Sequence, residues 1–206
     1  MKSDIRVCFV GDSFTQGTGD ETSLGWVGSV CSHARQEGYD VTGYNLGIRR
    51  ETSLDILHRW NAECDRRFPS GCDARIVFSF GANDTSIENG QQRVSISESI
   101  ENATSILTDA TTRYPVLFVS SPPVEDPEQN YRILELSDRI SSVCSTLNVP
   151  FIDLYNPLVL DRDYYREVAE NDGSHPRQKG YRKIARIILS SPNWWFNPLS
   201  FNPLQI

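Results

Sequence analysis

Apolar residues along this chain recur with two periods. Runs of four to six residues rich in Val, Ile and Phe stand at 5–10, 41–46, 76–80, 116–119 and 149–154, and they predict short strands. Between the runs, apolar positions return every three or four residues, as in Leu24, Val27, Cys31, Ala34, then Leu57, Trp60, Cys64, Phe68, and then Ile96, Ile100, Ala103, Leu107, Ala110. The same spacing continues in Ile133, Leu136, Ile140, Val143, Leu147 and in Tyr181, Ile184, Ala185, Ile188. Each stripe predicts a helix with one buried face. Strand and helix alternate, which predicts an α/β fold: a five-stranded parallel sheet with helices on both faces, because right-handed crossovers return the chain over the sheet. The runs at 76–80 and 116–119 hold too few polar residues to face water, as befits strands covered on both sides.

The chain has 206 residues, a length that suits one domain. No internal repeat or linker divides it, so residues 1–191 are expected to form that domain. Residues 192–206, PNWWFNPLSFNPLQI, read as a non-helical aromatic tail that packs on the domain's flank or joins a second copy as a homodimer contact. With 20 Lys and Arg against 27 Asp and Glu, the formal net charge of −7 argues against nucleic acid as a partner. No apolar stretch is long enough to span a bilayer, and the first residues lack the pattern of a signal peptide. Five cysteines without C-x-x-C spacing, and three histidines, predict a reducing, cytoplasmic setting and no metal site.

Every strand of an open parallel sheet ends on one rim, where ligands bind. The expected strand ends lead into Gly11-Asp12-Ser13, Asn45-Leu46-Gly47 and Gly81-Ala82-Asn83-Asp84, and a later loop carries Asp172-Gly173-Ser174-His175-Pro176. Together these turns hold every part of a nucleophilic serine site. Ser13 supplies the hydroxyl, His175 the base, and Asp172, three residues earlier, the carboxylate that orients it. Ser13 N–H, Gly47 N–H and the Asn83 side-chain amide supply donors for an oxyanion. Pro176 favours a helix start just after the base. Taken singly, each motif has an ordinary explanation as a turn, a cap or a surface loop; their convergence on one rim is what carries the reading. Asp153, at the end of the last strand, is the competing acid for His175. Arg49 and Arg50 are candidate contacts for an acidic substrate group, set against a plain solvated loop.

These turns resemble the signature blocks of the SGNH hydrolases, the GDSL-type lipases and esterases. Ser13 in GDSFTQG, Gly47 in NLGIRRETS, Asn83 in GANDTS, and Asp172 with His175 in DGSHPRQKGY match the blocks in order from residue 5 to about 190. Phe14 stands where the family name has leucine. The resemblance implies a flavodoxin-like three-layer α/β/α sandwich, hydrolysis of a small-molecule ester or thioester through an acyl-enzyme on Ser13, and no cofactor. The absence of room for an inserted lid points to short acyl groups, such as acetyl. A rival reading takes SFTQGTG as a flavin- or phosphate-binding loop of a flavodoxin-like module, which has no use for Asp172 and His175; another takes the chain as a non-catalytic scaffold with the aromatic tail as its contact surface, against which the complete catalytic blocks argue.

Overall fold

A computed structural model describes residues 3–196. Strand β1 (Ile5–Gly11) ends in a tight turn that opens the short helix α1 (Ser13–Gln16). Helix α2 (Gly25–Gln36) returns the chain to β2 (Val41–Gly47), and α3 (Ser53–Asp65) returns it to β3 (Asp73–Ser79). A small hairpin, β4 (Ile87–Glu88) and β5 (Gln91–Gln92), precedes α4 (Ile96–Thr111) and β6 (Val116–Val119). Then follow α5 (Pro127–Thr146), β7 (Phe151–Ile152), α6 (Tyr155–Leu158), α7 (Arg162–Ala169) and α8 (Gln178–Ser190).

The main sheet has the order β2-β1-β3-β6-β7 with every pairing parallel. This is the expected five-stranded α/β/α sandwich. Gly11 lies level with Gly47 on one side and Ser79 on the other, so three strands end at one height. The chain steps outward from β1 to β2 and then back across to β3, and the crevice opened by that reversal is where an open sheet binds ligands.

Alternation along each strand feeds two cores. Val7, Phe9, Val77 and Leu117 pack with α2, α7 and α8 through Trp26, Val30, Tyr164, Tyr181 and Ile184. Cys8, Val10, Phe78 and Phe118 pack on the opposite face against α3, α4 and α5 through Ile56, Trp60, Ile106 and Ile140. Side chains at the helix starts fix where the helices begin. Thr52 and Asp55 form a reciprocal capping box for α3, Ser95 and Glu98 do so for α4, and Asp126 caps α5 just before Pro127.

The last strand is shorter than its apolar run of 149–154 predicts. Only Phe151 and Ile152 pair, and Asp153 instead turns to accept the N–H groups of Tyr155 and Asn156 at the start of α6. The hairpin at 87–92 and the helices α6 and α7 carry no long apolar stripe and go beyond the elements that the pattern predicts. In the tail, Trp194 and Phe196 are buried against the chain's own α2–α8 core, and the Arg75 guanidinium lies over the rings of Trp195 and Phe196. Those two buried rings offer no surface to a second copy; the rest of the expected tail contact, 197–206, lies outside the described residues. All five cysteines are free. Among the described residues, no helix is long and apolar enough to cross a membrane.

Candidate active site

The nucleophile turn is built by close packing. A Cβ on Gly11 would sit 2.1 Å from Ser79 O and 2.2 Å from Thr15 Oγ1, so only glycine lets β1 turn into α1 against β3. Asp12 then caps the short helix, its Oδ1 accepting Phe14 N–H at 2.9 Å. Thr15 Oγ1 donates to Ser79 O at 3.3 Å. Ser13 is thereby placed at the rim, 4% exposed, with Gly17 closing the turn at φ +88°.

The base arrives from the far end of the chain. Asp172 Oδ1 accepts the backbone N–H groups of Ser174 at 3.0 Å and His175 at 2.8 Å, which folds the loop into a tight hook. Its other oxygen, Oδ2, lies 2.8 Å from His175 Nδ1, and His175 Nε2 lies 2.7 Å from Ser13 Oγ. The imidazole tautomer with its proton on Nδ1 satisfies both contacts: Nδ1–H donates to the carboxylate and Ser13 O–H donates to Nε2. Asn171 Nδ2 holds the His175 carbonyl at 2.9 Å, and the Phe14 ring packs on the imidazole. Burial alone would raise the Asp172 carboxyl, but the hydrogen bonds from His175 and Ser174 outweigh it and hold it below the usual range. Asp153, the competing acid, caps α6, and the His175 Nδ1 bond goes to Asp172 instead.

Ser13, Asp172 and His175 are therefore brought together. The two remaining oxyanion candidates are differently disposed. Asn83 donates through Nδ2 to Glu51 O at 2.9 Å, which leaves its second amide proton without a partner among the described residues. Gly47 N–H, by contrast, donates to Asn45 Oδ1 at 3.0 Å, while Asn45 Nδ2 reaches Thr15 O at 2.9 Å. The lack of a side chain at Gly47 serves another end: a Cβ there would stand 2.2 Å from Gln16 N and 2.7 Å from Asp12 O. Gly47 lets β2 lie against the nucleophile turn.

Beyond Gly47 the chain makes a turn closed by Glu51 N–H to Ile48 O at 3.3 Å. Arg50 adopts φ +69° in it, an unusual conformation for a residue with a side chain, and its N–H has no partner among the described residues. The Arg50 side chain is 73% exposed and pairs with Glu88 of the small hairpin. Arg49 makes no ion pair or hydrogen bond among the described residues. Both arginines are exposed.

Two carboxyls lie beneath the rim. Asp12 is almost fully buried, and burial, with the neighbouring Asp84 charge adding to it, pushes its pKa up to about 7 against the opposing Phe14 N–H bond. Burial also raises Asp84, whose Oδ1 accepts Ser53 N–H at 2.8 Å. Asp84 thereby ties the start of α3 to the loop that carries Asn83. Among the described residues, no three His, Cys, Asp or Glu side chains are grouped to hold a metal ion.

Residues 9–183 match the model of the GDSL-like Lipase/Acylhydrolase family. Among solved structures, a lipase/acylhydrolase from Enterococcus faecalis is 27% identical, with a TM-score of 0.73 over 89% of this chain and 93% of that one. A catalytic mutant of Axe2, an acetylxylan esterase from Geobacillus stearothermophilus, superimposes with a TM-score of 0.76 at 20% identity, covering 92% of this chain and 94% of the other. LAE5, an alpha/beta hydrolase enzyme from the metagenome of Lake Arreo, Spain, gives 0.74 at 19% identity over 92% and 95%. A comparison with curated proteins finds no significant match.

Proposed function

Because the chain belongs to the GDSL-like lipase/acylhydrolase family and is an esterase, we propose that it hydrolyses short-chain esters through an acyl-enzyme on Ser13. The observation that carries this is the unbroken relay from Asp172 Oδ2 through His175 to Ser13 Oγ, with links of 2.8 and 2.7 Å. His175 Nε2 takes the hydroxyl proton as Ser13 Oγ bonds to the carbonyl carbon, and the carbonyl π pair moves onto oxygen. Asp172 stabilises the imidazolium and fixes its orientation. The tetrahedral adduct collapses, the carbon–alkoxy bond breaks, and His175 returns its proton to the departing alcohol. Water then repeats the sequence on the acyl-enzyme, releasing the acid and restoring Ser13.

Ser13 N–H and the second amide proton of Asn83 receive the negative oxygen. Sequence reasoning gives the third place to Gly47, but its N–H is engaged by Asn45. Gly47 takes that place only after Asn45 lets go; in the same turn Arg50 N–H has no partner among the described residues. A flavin- or phosphate-binding loop is the weaker reading, since Ser13 Oγ is already bonded to a base.

We assign the substrate to esters of small acyl groups, acetyl above all. The rim consists of short turns and a small hairpin at 87–92, with no enclosing domain among the described residues to shelter a long chain. The fold shared with an acetylxylan esterase agrees with this. Five unbridged thiols agree with a reducing, cytoplasmic setting.

The test is steady-state hydrolysis of p-nitrophenyl esters of increasing chain length. Acetyl and butyryl esters are expected to have kcat/KM above decanoyl ester, and Ser13→Ala or His175→Ala is expected to lower kcat by about 10³-fold or more. A preference for decanoyl ester would contradict the substrate assignment, and an active Ser13→Ala variant would contradict the mechanism.

A further inference from the structure

One mostly buried ion pair lies under the cleft without a part in the reaction just described. Arg59, in the second turn of α3, and Glu51, in the turn after β2, have side chains only 16% exposed each. Arg59 Nε donates to Glu51 Oε2 at 2.6 Å, and Nη2 donates to Leu46 O at 2.8 Å and to Gly11 O at 3.2 Å. Each acceptor leads to a different arm of the oxyanion hole. Gly11 runs through Asp12 into Ser13. Leu46 heads the turn that contains Gly47 and Arg50. Glu51 closes that turn, and its carbonyl holds Asn83 Nδ2.

We propose that Arg59 is a positioning residue for the oxyanion hole, its single guanidinium fixing the Ser13, 47–50 and Asn83 segments relative to one another. This rests on the acyl-enzyme reading above. A role confined to satisfying strand ends fits less well, because Gly11 O already accepts Ile48 N–H at 3.0 Å and does not need a second donor. The planar guanidinium fork reaches acceptors in several directions at once, whereas a lysine ammonium is a point charge on a flexible stem. Oxyanion donors stabilise the transition state only when held in place beforehand, so loosening their common anchor should lower turnover more than binding.

The experiment compares wild type, Arg59→Met, Arg59→Lys and Ser13→Ala on p-nitrophenyl acetate, with folding checked by circular dichroism at the assay temperature. Arg59→Met is expected to lower kcat by about 10–100-fold with KM changed by less than about twofold. Arg59→Lys should fall between it and wild type. Inactivation of Ser13 by a fluorophosphonate, whose phosphoryl oxygen gains charge in the same oxyanion hole, should slow in proportion to kcat. A folded Arg59→Met variant with wild-type kcat, or one whose whole loss lies in KM, overturns the proposal. If the methionine variant does not fold, Arg59→Lys decides: a loss in kcat of about threefold or more supports the proposal, and a wild-type kcat overturns it. Hydrolysis by wild type that survives Ser13→Ala would instead defeat the acyl-enzyme reading, and it is visible before any Arg59 variant is compared.

Discussion

Asp12 precedes the nucleophile, and its carboxyl is sealed beneath it with Oδ2 lacking any partner among the described residues. Its pKa of about 7 in the folded chain lies well above the unfolded value of roughly 3.9. Across that window the folded state keeps a proton that the unfolded state has released, so this group's contribution to stability is full at low pH and is lost as pH rises from about 4 to about 7. Asp172 acts with the opposite sign. Its lowered pKa adds stability above the unfolded value that disappears as acid protonates it. Asp12→Asn keeps an oxygen for Phe14 N–H and removes the titration. Thermal unfolding should therefore show the variant gaining on wild type by at least about 1 kcal/mol between roughly pH 5 and pH 8; a constant difference would rule out a buried, titrating Asp12.

Helix α3 illustrates what the sequence reveals and what it hides. The stripe of Leu57, Trp60, Cys64 and Phe68 announces a helix there, and Trp60 and Cys64 are indeed buried. Arg59 stands off that stripe, and nothing in a 3.6-residue period says that its side chain reaches back to the ends of two strands. The helix start is set by Thr52, which accepts Asp55 N–H and closes the capping box. Thr52→Ala should lower stability by about 1 kcal/mol, read as a fall in the urea midpoint, and an unchanged midpoint would mean that packing alone defines this terminus. The last strand is legible as an apolar run but not in its length, because Asp153 serves as a cap instead of continuing the ladder. Helix α7 leaves little trace in the pattern because only Tyr164 and Val168 of its eight residues are buried.

Taken as a whole, the molecule is most legible where a rule of topology constrains it. Alternating strands and helices imply a parallel sheet, parallel strands end on one rim, and the rim gathers turns that are far apart in sequence. Ser13 and His175, separated by 162 positions, meet for that reason. Hydrogen-bond partners within the rim follow no such rule, and Gly47 shows it: its position is legible, but the commitment of its N–H to Asn45 depends on local side-chain geometry. The most direct measurement of the central claim treats the intact protein with a fluorophosphonate and locates the adduct by peptide mass mapping. A single adduct on Ser13, abolished in Ser13→Ala and strongly slowed in His175→Ala, is the predicted result. Labelling on another residue, or undiminished labelling without His175, would contradict it.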